Sequence, residues 1–174
     1  DIEASLAADA PTVLINAETG ERVPHWAEID ESTEDADGTF MIRPAVRLAD
    51  ATRYIVAIRH VQDEQGNVIA PSEQFRALRD LVPSDDPDIE ARRPLYADIF
   101  MRLDQAGVAR DDLQIAWDFT TASGEHDTGD LLHMRDDALS MYDNEGPTYQ
   151  ITAVDDAWEA WAIVEEAKRD KAGE

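Results

Sequence analysis

The chain has 174 residues, of which 43% are hydrophobic, so it is long and apolar enough for one ordinary domain or two small ones. Its 39 acidic and 15 basic residues give a formal net charge of −24, which disfavours nucleic acids and anionic membranes as partners. The absence of cysteine excludes disulfides, thiolate zinc sites and a cysteine nucleophile.

Short extended segments separated by turn residues make up the first third of the chain, a spacing typical of a β-sandwich. Strands are predicted over residues 12–16, 22–29, 39–43 and 53–61. The last of these alternates apolar side chains and runs into Asp-Glu-Gln-Gly-Asn at residues 63–67, a sequence that favours a hairpin turn.

The pattern becomes helical after Pro71. Ser72 or its neighbour is the predicted N-cap of a short helix that extends to Arg79, and a loop follows over residues 81–87. Apolar residues then recur every three or four positions, which predicts an amphipathic helix over about 93–106 that ends at Gly107.

The remaining segments alternate between strand and helix. A strand over 113–121 places four apolar side chains on one face and Trp117 in the core; the four are Leu113, Ile115, Trp117 and Phe119. A helix is predicted from Asp127 or Thr128, a strand over 148–154, and a C-terminal helix from about Asp156. Trp158 and Trp161 lie three residues apart on that last helix, which indicates a docking face toward this chain or another domain.

Motifs that would assign a reaction are absent. The chain has no Gly-x-Ser-x-Gly nucleophile motif and no glycine-rich phosphate loop, and no apolar run approaches the ~20 residues of a membrane span. Packing or surface positions are predicted for the histidines, which are His25, His60, His126 and His133. Glycosidases use two neighbouring carboxylates, but with 39 acidic residues such pairs arise by chance and are weak evidence for that activity.

An acidic loop over residues 30–38 offers closely spaced oxygen ligands followed by glycine. Asp30, Asp35 and Asp37 are therefore candidate calcium ligands, because Ca²⁺ prefers carboxylate oxygens. The loop lacks the complete twelve-residue calcium pattern and its final glutamate, so a solvated hairpin loop is the alternative. No cofactor other than a possible calcium ion is predicted.

Two resemblances bear on the fold. Residues 53–67 and 117–121 resemble the paired strands of bacterial immunoglobulin-like domains of secreted and surface-layer proteins. Residues 9–30, 92–103, 106–108, 117–123 and 134–138 resemble the N-terminal, non-catalytic region of secreted bacterial lipase-like α/β-hydrolases. The second resemblance implies an extracellular or cell-envelope location and a hydrolase domain, or another protein domain, as partner, and it transfers no catalytic residue.

The predicted fold class is α+β, an immunoglobulin-like antiparallel β-sandwich with inserted and C-terminal helices. Residues 1–123 would form the sandwich with a helical insertion at about 72–110, and residues 124–174 a helix–strand–helix extension packed on it. The predicted function is a non-catalytic accessory or interaction domain of a secreted hydrolase-like protein. The alternatives are an acidic protein that binds calcium or a small ligand and, after it, a small esterase or glycosidase.

Overall fold

The computed structural model describes residues 2–30, 38–141, 150–154 and 160–163. They belong to two compact units, residues 1–123 and 124–174. The first unit contains, in chain order, strands β1 (Thr12–Asn16), β2 (His25–Asp30), β3 (Thr39–Pro44) and β4 (Arg53–Arg59), helices α1 (Glu73–Arg79) and α2 (Pro87–Gln105), and strand β5 (Leu113–Thr120). The mixture of helices with antiparallel sheets confirms the predicted α+β class.

A three-stranded antiparallel sheet with the order β1-β4-β5 forms the centre of this unit. β4 is the middle strand, and its apolar run from Tyr54 to Ala57 is buried on both faces. A central strand with two apolar faces needs cover on both sides, whereas an edge strand can alternate apolar and polar residues.

Helices α1 and α2 cover the inner face of this sheet. Ile55 and Ala57 of β4 pack with Ile99 and Leu103 of α2 in a core whose members are at most 5% exposed. Small residues at the sheet surface, such as Ala116, allow the helices to approach closely. This face supplies most of the buried aliphatic core of the unit.

Strands β2 and β3 form a separate two-stranded antiparallel sheet, paired from His25 opposite Pro44 to Asp30 opposite Thr39. The predicted acidic loop between them lies mostly outside the described residues, since only Asp30 and Gly38 belong to the part that the structure describes. Pro44 is the last residue of β3, as expected for a residue that cannot donate to a sheet ladder.

The helix boundaries follow local capping chemistry. Ser72 caps α1 as predicted, because its Oγ accepts a hydrogen bond from the Phe75 amide at 3.2 Å. α2 begins earlier than predicted, at Pro87, because the Asp86 carboxylate caps it and proline is well tolerated at the first helical position. Gly107, at a φ of 77°, follows the C-terminus as predicted.

The predicted turn at residues 63–67 is confirmed. The Asp63 amide donates to the Asn67 carbonyl, and the Asp63 carboxylate accepts hydrogen bonds from the Gln65 and Asn67 amides. Gly66 has a φ of 84°, a conformation that glycine adopts without strain.

The second unit contains helix α3 (Gly124–Met141) and an antiparallel pair of strands, β6 (Gln150–Val154) and β7 (Ala160–Ile163). The prediction of a helix from about Asp156 is wrong at residues 160–163, which form β7. A short apolar run suits either structure by its periodicity, and pairing with β6 decides in favour of the strand. None of the helices in the described residues is both long and apolar enough to cross a membrane.

Candidate functional site

The candidate site is an apolar groove on the outer face of the three-stranded sheet, the face turned away from α1 and α2. Ile115, Trp117 and Phe119 alternate along β5 and therefore point to the same face. They are 44%, 38% and 37% exposed, which is unusual for three large apolar side chains in a row. We call this surface the outer groove.

The β2–β3 sheet forms the opposite wall of the outer groove. A pocket of about 340 Å³ is lined by Leu14 and Val56 of the central sheet, by Phe40 and Ile42 of β3, and by Trp117 and Phe119. A second pocket of about 250 Å³ also has Phe40 in its wall, together with Ile58 and Ile115. Since both pockets share Phe40, they form one apolar surface along β5.

An aromatic pair holds one end of the groove in place. Tyr54 and Phe119 lie opposite each other in the β4–β5 ladder, and their rings stack with centroids 5.7 Å apart and planes 24° apart. The Tyr54 hydroxyl oxygen accepts a hydrogen bond from the Ala49 amide at 2.9 Å. The Tyr54 ring thus stacks on the Phe119 ring, while part of the Phe119 side chain remains exposed.

A neutral amide holds the other end. The Gln114 Oε1 accepts a hydrogen bond from the Val61 amide at 2.7 Å, and its Nε2 donates to the carbonyls of Val61 and Ile69. These bonds tie the hairpin after β4 to the start of β5. Gln114 and Ser72 are the polar residues in the wall of the 250 Å³ pocket.

Charged groups are instead paired on the inner side of the sheet. Arg53 donates from Nη1 to Asp98 at 2.5 Å and from Nε to Asp118 at 2.7 Å, and Arg102 donates from Nε to Asp98 at 3.0 Å. The hydrogen bond from Arg53 lowers the pKa of Asp98, burial opposes it, and Arg102 adds to the lowering. This network joins α2 to β4 and β5, so its role is structural.

Neither histidine of the first unit, His25 or His60, lines the two pockets of the outer groove. His25 is 1% exposed, with Nδ1 2.8 Å from the Val23 carbonyl oxygen and Nε2 2.9 Å from the Thr12 hydroxyl. His60 is exposed and has its Nε2 3.5 Å from Asp112. His126 and His133 belong to α3, where His133 lies 3.7 Å from Asp137.

The predicted calcium and docking residues fall largely outside the description. Asp30 is the last residue of β2, whereas Asp35, Asp37 and Trp158 lie outside the described residues. Trp161 belongs to β7. No group of three or more histidine or acidic side chains suited to a metal ion occurs in the described part of the chain.

The prediction that Trp117 belongs to the core is wrong. The alternation is correct for Ile115, Trp117 and Phe119, which face the groove, while Ala116 between them is fully buried against the helices. Leu113, predicted on the same face as these three, instead belongs to the inner core with Ala116, because the β4–β5 ladder shifts register between Ile58 and Arg59. The small side chain at 116 was the available signal, because alanine suits a close helix–sheet contact and leaves the large residues for the other face.

No protein-family profile, no curated protein sequence and no solved structure matches this chain.

Proposed function

We propose that the chain is a non-catalytic interaction module that holds an apolar segment of a protein partner in the outer groove. The observation that supports this role is the row of Ile115, Trp117 and Phe119, half-exposed beside two apolar pockets. Contiguous apolar surface of this kind is a frequent mark of protein interaction sites, and tryptophan and other aromatic residues contribute strongly to binding energy there.

The groove has the composition of a contact surface rather than of a reaction centre. Its walls are aliphatic and aromatic, while the nearby charged network of Arg53, Asp98 and Asp118 has its hydrogen bonds directed within the inner side of the fold. A partner segment that inserts apolar side chains would bury the free faces of Trp117 and Phe119, which contributes ~25 cal/mol for each Å² of apolar surface removed from water.

The partner that the sequence resemblance implies is a hydrolase domain in an extracellular or cell-envelope setting, and we retain it as part of the proposal. The immunoglobulin-like sandwich is retained in the same way. Its support is two antiparallel sheets, of three and two strands, that both contribute to the groove walls. The helices on the inner face are additions to such a sandwich.

A selection of random peptides on the unmodified chain alone tests the proposal, and the binding of the enriched peptides is then compared with the double variant Phe40→Ser, Trp117→Ser. We expect the enriched peptides to carry several aromatic or aliphatic residues and to bind the double variant at least ~10-fold more weakly. Leu131→Ser is the matched control, because it removes an exposed apolar side chain from α3 instead. Equal binding to all three chains would contradict the proposal.

Calcium binding through Asp30, Asp35 and Asp37 stays a separate prediction. Thermal unfolding with and without millimolar calcium tests it, since a site occupied only in the folded state raises the melting temperature in proportion to occupancy. A calcium-dependent rise in the melting temperature of the unmodified chain that is absent from the triple variant Asp30→Asn, Asp35→Asn, Asp37→Asn would support the site, and the same rise in both chains would contradict it.

A further inference from the structure

The two edges of the three-stranded sheet differ in how their backbone groups are bonded. At the β1 edge the chain covers its own strand, because the Val23 amide donates to the Leu14 carbonyl at 2.8 Å and the Asn16 amide donates to the Glu21 carbonyl at 3.0 Å. At the β5 edge, no strand of the described residues other than β4 pairs with β5. In the described part of the chain, one edge is therefore closed by backbone and the other is open.

The register of the β4–β5 ladder shows which groups point to the open edge. The Thr121 amide donates to the Thr52 carbonyl at 3.0 Å, and the pairing runs without a shift over residues 115–120. In an antiparallel ladder, residues that bond to the neighbouring strand alternate with residues whose amide and carbonyl point away from it. The residues that point to the edge are therefore Ala116, Asp118 and Thr120.

Two of these three residues keep both edge-facing groups unbonded. The Ala116 carbonyl accepts a hydrogen bond from the Tyr96 hydroxyl at 3.1 Å, whereas no hydrogen bond among the described residues engages the edge-facing amides and carbonyls of Asp118 and Thr120. Proline, lysine and bulges usually protect such an edge, and this stretch of β5 has none of them. Its one charged side chain, Asp118, is paired with Arg53 at 2.7 Å.

We infer that an extended segment of the partner binds this edge as an added strand, with every second side chain in the outer groove. The inference rests on the proposed function and names how the partner is held. Trp117 and Phe119 alternate with Asp118 and Thr120, so a strand paired at the edge places side chains opposite both aromatic rings on the groove face. Backbone hydrogen bonds then supply affinity, and the groove supplies specificity.

The charge of the chain adds a second property to the expected segment. A formal net charge of −24 attracts lysine- and arginine-containing segments and repels a second copy of the chain. The positions between the apolar residues of an added strand point away from the groove, so they can carry positive charge. The occupant is therefore a basic segment of a protein partner with an apolar residue at every second position.

Thr120→Pro tests the edge directly. Proline removes the Thr120 amide, which points away from β4, and edge strands tolerate proline, so the ladder with β4 is kept. We expect peptides selected on the unmodified chain to bind Thr120→Pro at least ~10-fold more weakly. Thr120→Val is the matched control, because it keeps the amide and the branched side chain, and it should bind like the unmodified chain.

Peptides that are N-methylated at alternate residues give a second measurement, which needs no variant of the protein. A paired strand uses the amides of every second residue, so methylation of one alternate set should weaken binding at least ~10-fold and methylation of the other set less than ~2-fold. Loss with both sets would overturn the inference in favour of a helical ligand, whose internal hydrogen bonds use consecutive amides. No loss with either set would overturn it in favour of side-chain contacts alone.

The outcomes separate this inference from the proposed function. Peptides that lose binding in the Phe40→Ser, Trp117→Ser chain but keep it in Thr120→Pro would retain the groove and overturn the added strand. Peptides that depend on the Thr120 amide but not on Phe40 and Trp117 would contradict the groove instead. A dimer of the unmodified chain that Thr120→Pro dissociates, measured by analytical ultracentrifugation, would assign the edge to a second copy and overturn the inference.

Discussion

The two faces of the central sheet are built differently although they share the same strands. The inner face packs Ile55 and Ala57 against α2 and has no large side chain left half-exposed in its core. The outer face presents Trp117 and Phe119 beside pockets of about 340 and 250 Å³. The outer face also buries Leu14, Tyr54 and Val56 in a smaller core, so the surface left available for binding is the row of exposed side chains along β5.

The two faces also differ in the side-chain interactions that hold them in place. Ion pairs hold α2 to the inner side of the sheet through Asp98, whereas the neutral side chains of Gln114 and Tyr54 position the outer groove. No charged side chain lines the two pockets of the groove, so it accepts apolar groups without leaving a buried charge unpaired. The contrast therefore predicts that core and network variants change stability, and that groove variants change binding.

The largest expected effect is a loss of stability in Leu103→Ala on the inner face, compared with Phe119→Ala on the outer face. Leu103 is fully buried, so its truncation should lower the free energy of unfolding by ~2–5 kcal/mol through lost burial and a residual cavity. Phe119 is already partly exposed, so its truncation should cost no more than ~1–2 kcal/mol. Urea unfolding followed by far-ultraviolet circular dichroism measures both.

Equal losses for the two variants would show that the outer groove is as closed in solution as the inner core. Ala109→Gly is a suitable reference for a change at an exposed position that precedes the turn at Arg110–Asp112. The slope of unfolding free energy against urea should stay constant in all three chains, since none of these changes alters the surface exposed on unfolding by much.

Much of the fold could be predicted from the sequence, because local patterns determine it. Strands β1, β4 and β5, the Ser72 cap and the stop at Gly107 all depend on nearby residues, and the structure confirms them. The side on which a face is covered depends on distant partners instead. The strand pattern alone therefore predicts Trp117 in the core, whereas β3 and α2 decide which face of β5 stays open.

The short segment at residues 160–163 shows the same limit. Its apolar run is compatible with helix and strand, and only the pairing with β6 selects the strand. The outer groove was also beyond prediction, since its walls come from residues as far apart in the chain as Leu14, Phe40 and Phe119. The candidate calcium ligands required no tertiary contact to be proposed, and they stay a prediction.

A smaller effect is expected from the charged network of the inner face. Asp98→Asn removes the carboxylate shared by Arg53 and Arg102 and should lower the free energy of unfolding by ~1–3 kcal/mol near neutral pH. The folded-state pKa of Asp98 is lowered, so its contribution is present above the unfolded pKa of ~4 and is lost as the pH falls through the folded value.

The difference between Asp98→Asn and the unmodified chain should therefore shrink on acidification, which urea unfolding at neutral and acidic pH measures. Asp104→Asn is the control, because Asp104 is an exposed acid of the same helix. A difference that stays constant with pH would show that shape, rather than the charge of Asp98, fastens α2 to the sheet.

The smallest expected effect on stability comes from the ion pair between Glu90 and Arg93, near the start of α2. The Glu90 carboxylate accepts two hydrogen bonds from Arg93, each 2.6 Å long, and one from the Ser84 amide at 3.1 Å; these bonds lower the pKa of Glu90 to about 2. Arg93 also donates to the carbonyls of Ala77 and Val82, so the pair supports the connection between α1 and α2.

Titration of the Glu90 carboxyl carbon by NMR should give a pKa near 2, and in Arg93→Gln the value should rise toward the ordinary ~4.3. Arg92→Gln, which removes the same charge one position earlier, should leave the pKa low. Because the folded pKa is lowered, the stabilisation from Glu90 is present above ~4.3 and is lost as the pH falls toward 2. An unchanged pKa in Arg93→Gln would assign the lowered pKa of Glu90 to the Ser84 amide. The packing of α2 on the inner face of the sheet would then depend on the ion pairs of Asp98 more than on that of Glu90.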